Sequence, residues 1–268
     1  MRTLRLAVIG TPIRHSLSPM IHSLFAKALG LSVSCDAIDV APKRLDDFVR
    51  GSRRNLDGFN VTMPHKETII PLLDSLDVSA IECGAANTVR NSDGLLKGHA
   101  TDGSGVLWAL QAKFGNTEGK RAVIIGAGGA AKAAANALVG SGADVTVVSR
   151  RKIDLPDTTS AYFEQLSDVC EGAEILINAT PLGMTGNMEF TDFADFAFLD
   201  NTNATVFEFV YNPRETNLLR AAKTRGLQTI DGLSLLIGQA ADAFRIFSGL
   251  PVPERVASEV YEKIGKNP

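Results

Sequence analysis

The sequence lacks the features that mark several classes of protein. Only three of its 268 residues are cysteines, Cys35, Cys83 and Cys170, and no two of them form a Cys-x-x-Cys pair. This scarcity excludes a zinc ribbon and a thioredoxin-type redox site, and scattered thiols favour a reducing compartment such as the cytoplasm. No apolar run approaches the roughly 18 residues of a membrane-spanning helix. The short apolar run near the start predicts a β-strand and not a signal peptide.

An excess of positive charge is also lacking. The 27 Lys and Arg residues are outnumbered by 30 Asp and Glu residues, which gives a formal net charge of −3. The chain therefore has no bulk electrostatic attraction for nucleic acid or for a membrane surface, and an anionic ligand must be held by a local group of donors. Aromatic residues are scarce at 6%, whereas 24 glycines suit tight turns and close packing of helices on a sheet.

The sequence does contain an alternation of short apolar segments with amphipathic or Ala-rich segments. It predicts strands at 4–9, 33–38, 58–61, 121–125, 145–148, 175–178 and 206–210, and a further β segment from residue 88. It predicts helices at 20–29, 44–50, 69–76, 104–114, 132–139, 233–247 and 254–264, and a turn at 80–85. Such alternation is typical of βαβ units and a mostly parallel sheet. A linker-like break at 115–119 separates two βα regions, so we expect an α/β protein of two domains with its ligands in the cleft between them.

A glycine-rich turn follows the predicted strand 121–125 and precedes an Ala-rich helix. Gly126 permits a tight turn, Gly128 lets the backbone approach a pyrophosphate, and Ala131 lets the helix pack closely on the sheet. The N-terminus of the helix offers N–H groups to the phosphates. The spacing predicts a nucleotide site, and a tight βα turn without a ligand is the alternative.

The end of the next strand distinguishes between two dinucleotides. An NAD-binding unit carries Asp or Glu about twenty residues after the turn, where it binds the ribose 2′-hydroxyl. Here the strand is followed by Ser149, Arg150, Arg151 and Lys152. Guanidinium groups suit a 2′-phosphate, so the sequence predicts NADP as the cofactor, with a basic solvated loop as the alternative. The segment 178–180 also follows a strand, where it would face the cofactor or form an ordinary turn.

Polar residues cluster in the loops of the N-terminal half. Ser16 and Ser18 precede a helix, which suits a substrate carboxylate, and the alternative is that Ser18 is a plain N-cap before Pro19. Lys66 and Asp102 are the cation and the acid of these loops. A Lys–Asp pair can move a proton to or from an alcohol during its oxidation, whereas Lys66 taken alone would be an ordinary surface lysine.

Eight motifs, in order along nearly the whole chain, resemble those of the shikimate dehydrogenase family. They are the segments 10–22 (GTPIRHSLSPMIH), 60–66 (NVTMPHK), 84–88 (GAANT), 101–105 (TDGSG), 126–130 (GAGGA), 178–180 (NAT), 211–216 (YNPRET) and 231–240 (DGLSLLIGQA). The resemblance implies a cytoplasmic oxidoreductase that reversibly reduces 3-dehydroshikimate to shikimate with NADPH, in the chorismate pathway of aromatic amino-acid biosynthesis. It also implies a substrate-binding domain of residues 1–103 plus 237–268, and an NADP-binding domain of residues 104–236 with a Rossmann-type doubly wound parallel sheet.

The resemblance implies a role for individual residues as well. Lys66 and Asp102 would form the catalytic pair. The substrate would be bound by Ser16, Ser18, Thr62, Asn87, Tyr211 and Gln239. NADP would be bound by Gly126, Ala127, Gly128, Gly129, Ala130, Ser149, Arg150, Arg151, Thr180, Phe209 and Gly232. The expected partner is a small carboxylated cyclohexene, without nucleic acid, membrane or metal, and the protein would be a monomer or a homodimer.

The chain departs from the family pattern at several positions. Ala100 replaces the Asn that usually precedes the Thr-Asp pair, Glu208 replaces an Asp, and Leu235 replaces a Met. Ser149 and Arg151 replace the Asn and Thr that usually flank the Arg of the phosphate loop. These differences leave alternatives open: a paralogue of altered efficiency, a paralogue that acts on quinate or aminoshikimate, or a low-activity NADP-binding regulator with the same fold. A regulator would be free to lose the Lys–Asp pair, so the presence of both residues favours an enzyme.

Overall fold

The computed structural model describes residues 2–192 and 194–266 as alternating strands and helices. The strands are β1 (Leu4–Gly10), β2 (Val33–Asp39), β3 (Gly58–Val61), β4 (Ser75–Leu76), β5 (Thr88–Ser92), β6 (Leu95–His99), β7 (Arg121–Ile125), β8 (Asp144–Ser149), β9 (Thr158–Tyr162), β10 (Ile175–Asn178), β11 (Thr205–Glu208) and β12 (Thr229–Ile230). The helices are α1 (Ser18–Ala28), α2 (Leu45–Asn55), α3 (Val78–Cys83), α4 (Asp102–Phe114), α5 (Gly129–Gly140), α6 (Leu166–Cys170), α7 (Asn217–Thr224), α8 (Gly232–Ser248) and α9 (Glu254–Gly265).

The chain divides into two compact units. The first unit comprises the chain up to Gly105 together with the chain from Ile237 onwards, and the second unit comprises Val106–Leu236. Within residues 2–192 and 194–266, each unit contains one six-stranded sheet. Among the described residues, no helix combines the length and the apolar character that a membrane crossing would require.

The sheet of the first unit has the strand order β2-β1-β3-β5-β6-β4. Strand β1 runs parallel to β2 and to β3, as alternating strands and helices predict. Strand β5, however, is antiparallel to both β3 and β6. The sheet of this unit is therefore mixed: the pairings β1–β2, β1–β3 and β4–β6 are parallel, as expected, and the two pairings of β5 are antiparallel.

A tight hairpin accounts for the antiparallel pairing of β5 with β6. Ser92 pairs with Leu95, so that Asp93 and Gly94 alone connect β5 to β6. Both residues have positive φ, 52° and 90°, which is the conformation of a type I′ turn. An Asp-Gly pair between two β segments is a strong hairpin signal, and the sequence contains it.

The predicted helix at 69–76 is also wrong. The structure has a short 3-10 turn, Ile70–Leu72, followed by the extended strand β4, which pairs in parallel with β6. Pro71 lies in this turn and has no N–H for a helical hydrogen bond. The apolar spacing therefore reflects burial against the sheet and not a helical face.

The segment 80–85, predicted as a turn, lies mostly within helix α3. Asp77 precedes this helix and its side chain accepts a hydrogen bond from the backbone N–H of Ser79 at 3.3 Å. The helix ends at Cys83, and Gly84 follows as its C-cap with the left-handed φ of +62° that favours glycine at this position. An Asp N-cap and a glycine C-cap are sufficient to define one short helix.

The sheet of the second unit has the order β12-β11-β10-β7-β8-β9, and all its neighbouring strands are parallel. In order of appearance within the unit this is 6-5-4-1-2-3, the doubly wound order of dinucleotide-binding domains. The predicted Rossmann-type sheet is thereby confirmed, although its two edge strands β9 and β12 were not predicted. The direction of winding reverses between β7 and β10, which makes the carboxyl ends of these two strands the expected ligand position.

His22 is one of two buried histidines in the first unit, the other being His65. His22 on α1 is fully buried, and its ring packs 5.9 Å from the ring of Phe244 and 5.7 Å from that of Phe247, both on α8. Burial disfavours the charged form of the imidazole and lowers its pKa to about 4. The ring is therefore neutral in the folded protein at ordinary pH.

This burial predicts an acid dependence of stability that a substitution can isolate. Between pH 6.5 and pH 4 the unfolded chain protonates His22 while the folded chain does not, so the free energy of unfolding falls as the pH falls. Urea unfolding over this pH range should show a steeper fall for the wild type than for His22→Gln, by at most about 3 kcal/mol at the acid end. Parallel pH profiles for the two proteins would contradict the prediction.

Candidate active site

A lysine and an aspartate meet at the carboxyl ends of the strands in the first unit. Lys66 lies in the loop after β3, where its backbone carbonyl accepts the N–H of Ala86 at 2.8 Å. Asp102 is the first residue of α4, a position at which the helix dipole stabilises negative charge. The Nζ atom of Lys66 lies 2.5 Å from Oδ2 of Asp102, and the exposed fractions of the two side chains are 22% and 8%. The predicted residues therefore form a contact pair in which the lysine is more exposed to solvent than the aspartate.

The other oxygen of Asp102 is held by Asn87. The Nδ2 group of Asn87 donates to Oδ1 of Asp102 at 2.8 Å, and its Oδ1 accepts the backbone N–H of Thr101 at 2.7 Å. Because a backbone N–H can only donate, this second bond determines which end of the amide faces Asp102. Gln239 on α8 approaches the same group, with Oε1 3.4 Å from Nδ2 of Asn87. The structure thus brings together four of the predicted site residues.

The two predicted carboxylate-binding serines lie at the start of α1. The hydroxyl of Ser16 accepts the backbone N–H of Ser18 at 3.3 Å. Leu17 occupies the N-cap position and has no side-chain cap, while Ser18 is the first residue of the helix. The alternative that Ser18 is merely the N-cap is therefore wrong, and its hydroxyl does not cap the helix.

Thr62 directly follows β3 and packs against Gly10 at the end of β1. A Cβ added at Gly10 would lie 2.5 Å from Cγ2 of Thr62 and 2.9 Å from the carbonyl oxygen of Met63, so only glycine fits there. In the described part of the chain, no hydrogen bond joins Ser16 or Thr62 to the Lys66–Asp102 pair. Tyr211 belongs to the second unit, where burial raises the pKa of its phenol.

The glycine-rich turn connects β7 to α5 in the second unit. Gly126 has a φ of +129°, and a Cβ there would lie 3.0 Å from the carbonyl oxygen of Ala179. A Cβ at Gly128 would meet no heavy atom within 4 Å, so this stretch of backbone borders open space. Helix α5 begins at Gly129 without a side-chain cap and without an acidic residue in its first turn. A tight turn, an open backbone and an uncapped helix N-terminus are the requirements for binding a pyrophosphate.

The predicted phosphate loop follows β8. Ser149 is the last residue of the strand, and its hydroxyl donates to the backbone carbonyl of Arg151. The side chains of Arg150 and Arg151 are exposed. The loop therefore turns back on itself and presents two guanidinium groups to solvent next to the glycine-rich turn, since the N–H of Gly126 donates to the carbonyl of Val148 at 2.9 Å.

Three further residues predicted to bind the cofactor are arranged around Asn178, the last residue of β10. Its Oδ1 accepts the hydroxyl of Thr180 at 2.6 Å and the backbone N–H of Thr180 at 3.1 Å. Its backbone carbonyl accepts the N–H of Phe209 at 3.0 Å. Gly232 lies so close to the backbone of Phe209 and Val210 that a Cβ would collide with both carbonyl oxygens. Thr180 and Phe209 thus lie at the end of β10, and Gly232 adjoins the backbone of Phe209.

A buried carboxylate supports this group. Both oxygens of Glu208 accept from Nδ2 of Asn178, at 3.0 and 3.1 Å, while the hydroxyl of Thr216 and the N–H of Val210 each donate at 2.9 Å. Burial raises the pKa of Glu208 to about 7, against the opposing effect of these donors. Glu208 occupies the position where the family usually has Asp. The chain therefore retains the carboxylate and lengthens its stem by one methylene.

Two other departures from the family pattern have different surroundings. Ala100 lies two residues before Asp102, and its N–H donates to the hydroxyl of Ser79 at 3.1 Å. Leu235 is nearly buried in the apolar core of the second unit, with Ala131 and Phe207 in the same cluster. Ala100 thus adjoins the candidate active site, and Leu235 is a packing residue.

Sequence reasoning did not assign roles to several polar residues of the first unit. Asn60, Thr88 and Thr101 are all buried and are connected with Asn87 by hydrogen bonds. Each lies within a motif that the sequence displays, and Asn60 is a polar residue in a strand whose four positions are all buried. A buried polar residue in an apolar strand is the signal that could have identified this cluster.

Comparison with known proteins matches both units to families. Residues 8–89 match the shikimate dehydrogenase substrate binding domain, and residues 114–183 match an NAD(P)-binding family. A shikimate dehydrogenase (NADP(+)) of Moorella thermoacetica is 38% identical over 95% of this chain and 91% of its own length. The corresponding protein of Thermococcus kodakarensis is 40% identical over 92% of each chain.

A solved structure supports the same relationship. The shikimate 5-dehydrogenase of Thermus thermophilus, crystallised with NADP(H) and shikimate, is 33% identical, with a TM-score of 0.81 over 97% of this chain and 99% of that one. Likeness of this extent, in sequence and in fold, confirms the resemblance drawn from the eight motifs. The chain is a member of the shikimate dehydrogenase family of oxidoreductases.

Proposed function

We propose that this protein catalyses the reversible NADP-dependent reduction of 3-dehydroshikimate to shikimate. The observation that carries the proposal is the contact between Lys66 and Asp102, with Asn87 holding the second oxygen of the aspartate. A cation and an acid in this arrangement can give a proton to a carbonyl oxygen and take it back from an alcohol. The names and ligands of the relatives support the same substrate and cofactor.

The residues of the second unit fit NADP. The open backbone at Gly128 and the N-terminus of α5 suit the pyrophosphate, and the exposed guanidinium groups of Arg150 and Arg151 suit a 2′-phosphate. When bound, the cofactor supplies or accepts the hydride. Thr180, Phe209 and Gly232 line the end of β10 and β11, where the nicotinamide end would lie.

Lys66 transfers the proton. During reduction its ammonium group donates to the oxygen of the substrate carbonyl, which becomes the alcohol oxygen, and the lysine is reprotonated from solvent through its exposed fraction. In the oxidation direction the neutral amine accepts the proton of the alcohol. Asp102 holds the lysine and stabilises its positive charge, and it also orients the reacting hydroxyl.

The remaining residues orient the substrate. The hydroxyls of Ser16 and Ser18 bind its carboxylate at the N-terminus of α1, where the helix dipole favours an anion. Thr62, Asn87, Gln239 and Tyr211 bind its hydroxyls and carboxylate. A ring held at both its carboxylate and its hydroxyl groups presents one carbon to the hydride, which supplies both proximity and specificity.

The two units divide these tasks in the proposal. Substrate binding is assigned to residues 1–103 plus 237–268, with Tyr211 as the one contribution from outside them, and NADP binding is assigned to residues 104–236. The three cysteines are free thiols, which supports the reducing environment of the cytoplasm as the compartment. The protein would act there as a monomer or a homodimer.

A steady-state assay tests the proposal directly. Purified protein should oxidise shikimate with NADP, with a kcat/KM that exceeds the values for NAD and for quinate. A higher kcat/KM with quinate would identify the paralogue that sequence departures left open. Absence of turnover with both acids and both cofactors would contradict the assignment of an enzyme.

Substitution of the lysine tests the proton transfer. Lys66→Met keeps most of the side-chain volume and removes the ammonium group, so kcat for shikimate oxidation should fall about 100- to 10,000-fold with little change in KM. Lys97→Ala, which removes an exposed lysine paired with Asp77 on the same unit, is the matched control. A kcat within tenfold of the wild type for Lys66→Met would exclude this lysine as the proton donor.

Substitution of the phosphate loop tests the choice of cofactor. Replacing both Arg150 and Arg151 by Ala should raise the KM for NADP at least about tenfold, because each charge-assisted hydrogen bond contributes roughly 1.5–3 kcal/mol. The KM for NAD should hardly change. Arg220→Ala removes an exposed arginine of the same unit and serves as the control. An equal rise in KM for both cofactors would show that the two arginines do not bind the 2′-phosphate.

A further inference from the structure

His22 carries an unsatisfied polar atom in the core of the first unit. Its Nδ1 is buried and has no hydrogen-bond partner among the described residues. Its other nitrogen, Nε2, lies 2.7 Å from Oδ1 of Asn60. An unpaired buried acceptor loses its hydration without a compensating hydrogen bond, so an apolar side chain that filled the same space would avoid a penalty that this histidine incurs. Such an exception in a core calls for an explanation beyond packing.

The partners of Asn60 determine where the proton of His22 lies. The Nδ2 group of Asn60 is 3.2 Å from the backbone carbonyl oxygen of Asn87 and 3.0 Å from Oγ1 of Thr88. A carbonyl oxygen can only accept, so Nδ2 must face it and Oδ1 must face the imidazole. The Nε2 atom of His22 is consequently the donor, and the bare lone pair is on Nδ1.

This donor holds the amide of Asn60 in one orientation, and Asn60 in turn holds the beginning of β5. The backbone carbonyl of Asn87 accepts both from Nδ2 of Asn60 and from the N–H of Val61, the latter at 2.8 Å. The strands β3 and β5 are thereby fastened at the residue whose side chain donates to Asp102. Without the imidazole, Oδ1 of Asn60 would lose its partner and the amide could turn over.

We propose that His22 is a positioning residue whose Nε2–H, acting through Asn60, keeps Asn87 where it must lie to hold the carboxylate of Asp102. This inference rests on the proposed roles of Lys66 and Asp102. It assigns to a core histidine a function in catalysis that requires no contact with substrate or cofactor. The ring acts as a neutral hydrogen-bond donor, because burial disfavours its charged form and lowers its pKa to about 4.

Two substitutions at position 22 separate the effect of losing the Nε2–H donor from the effect of changing the side-chain packing. His22→Leu removes the donor at similar volume, and His22→Gln retains an amide N–H that can reach Asn60. We expect kcat for shikimate oxidation to fall about tenfold in His22→Leu, with KM for shikimate and for NADP changed less than twofold. His22→Gln should restore kcat to within about threefold of the wild type.

Phe25→Leu provides a matched control for packing. Phe25 lies on the same helix, is fully buried and contacts the same ring, with its centroid 5.9 Å from that of Phe244. The Phe25→Leu variant should lower Tm at least as much as His22→Leu does, while its kcat at 25 °C stays within twofold of the wild-type value. An equal loss of kcat in both leucine variants, or a normal kcat in a folded His22→Leu, would overturn the proposal.

A measurement on the wild type tests the inference without turnover and covers the case in which His22→Leu fails to fold. The nitrogen NMR spectrum of the imidazole should show a protonated Nε2 and an unprotonated Nδ1 between pH 5 and pH 8. The side-chain amide signals of Asn87 should change in His22→Gln less than in His22→Leu, and not in Phe25→Leu. A proton on Nδ1 would overturn the inference, whereas an inactive wild type with the expected spectrum would overturn only the proposed reaction.

Discussion

The contact between Lys66 and Asp102 is the interaction on which the arrangement of the first unit depends. Two charges that are largely withdrawn from water remain stable only when their other hydrogen-bonding positions are satisfied. The structure meets this requirement from separate elements. The loop after β3 provides the lysine, β5 begins beside the asparagine that binds the aspartate, α4 begins with the aspartate, and α8 brings Gln239 to the same amide.

In the second unit, too, a buried carboxyl group is stabilised by hydrogen bonds from several separate segments of the chain. Its parallel strands all end at one edge of the sheet, so the loops after β7, β8, β10 and β11 must meet there. The buried Glu208 binds the loops together by accepting from Asn178, Thr216 and the backbone of Val210. The backbone at Gly128, by contrast, borders open space. A rigid support beside an accessible turn is what a phosphate-binding edge needs.

Much of this arrangement could be predicted from the sequence, because local signals determine local elements. Strand 58–61 and strand 121–125 have the bounds predicted for them, and the glycine spacing identified the turn before α5. Motifs far apart in the chain predicted that Lys66 and Asp102 act together. The error at 69–76 arose because burial against a sheet can imitate helical spacing, and Pro71 should have weighed against a helix.

What could not be predicted is how buried polar groups choose their partners. Asn87 and Gln239 are separated by 152 positions, and no periodicity relates them. The hydrogen bond from His22 to Asn60 likewise spans 38 positions and depends on how α1 packs against the sheet. These pairings follow from the packed tertiary structure, because each buried donor must bond to an acceptor that the fold has placed beside it.

The two asparagines of the first unit have a consequence for the path of the proton. Carboxamides do not ionise, so Asn60 and Asn87 can relay orientation but cannot relay charge. The two amides separate the carboxylate of Asp102 from the imidazole of His22, so no proton passes between these two groups through the amides. In the proposed reaction, a proton that Lys66 gives up or regains would therefore travel on the solvent side of the pair, where 22% of the lysine side chain and 8% of the aspartate side chain are exposed.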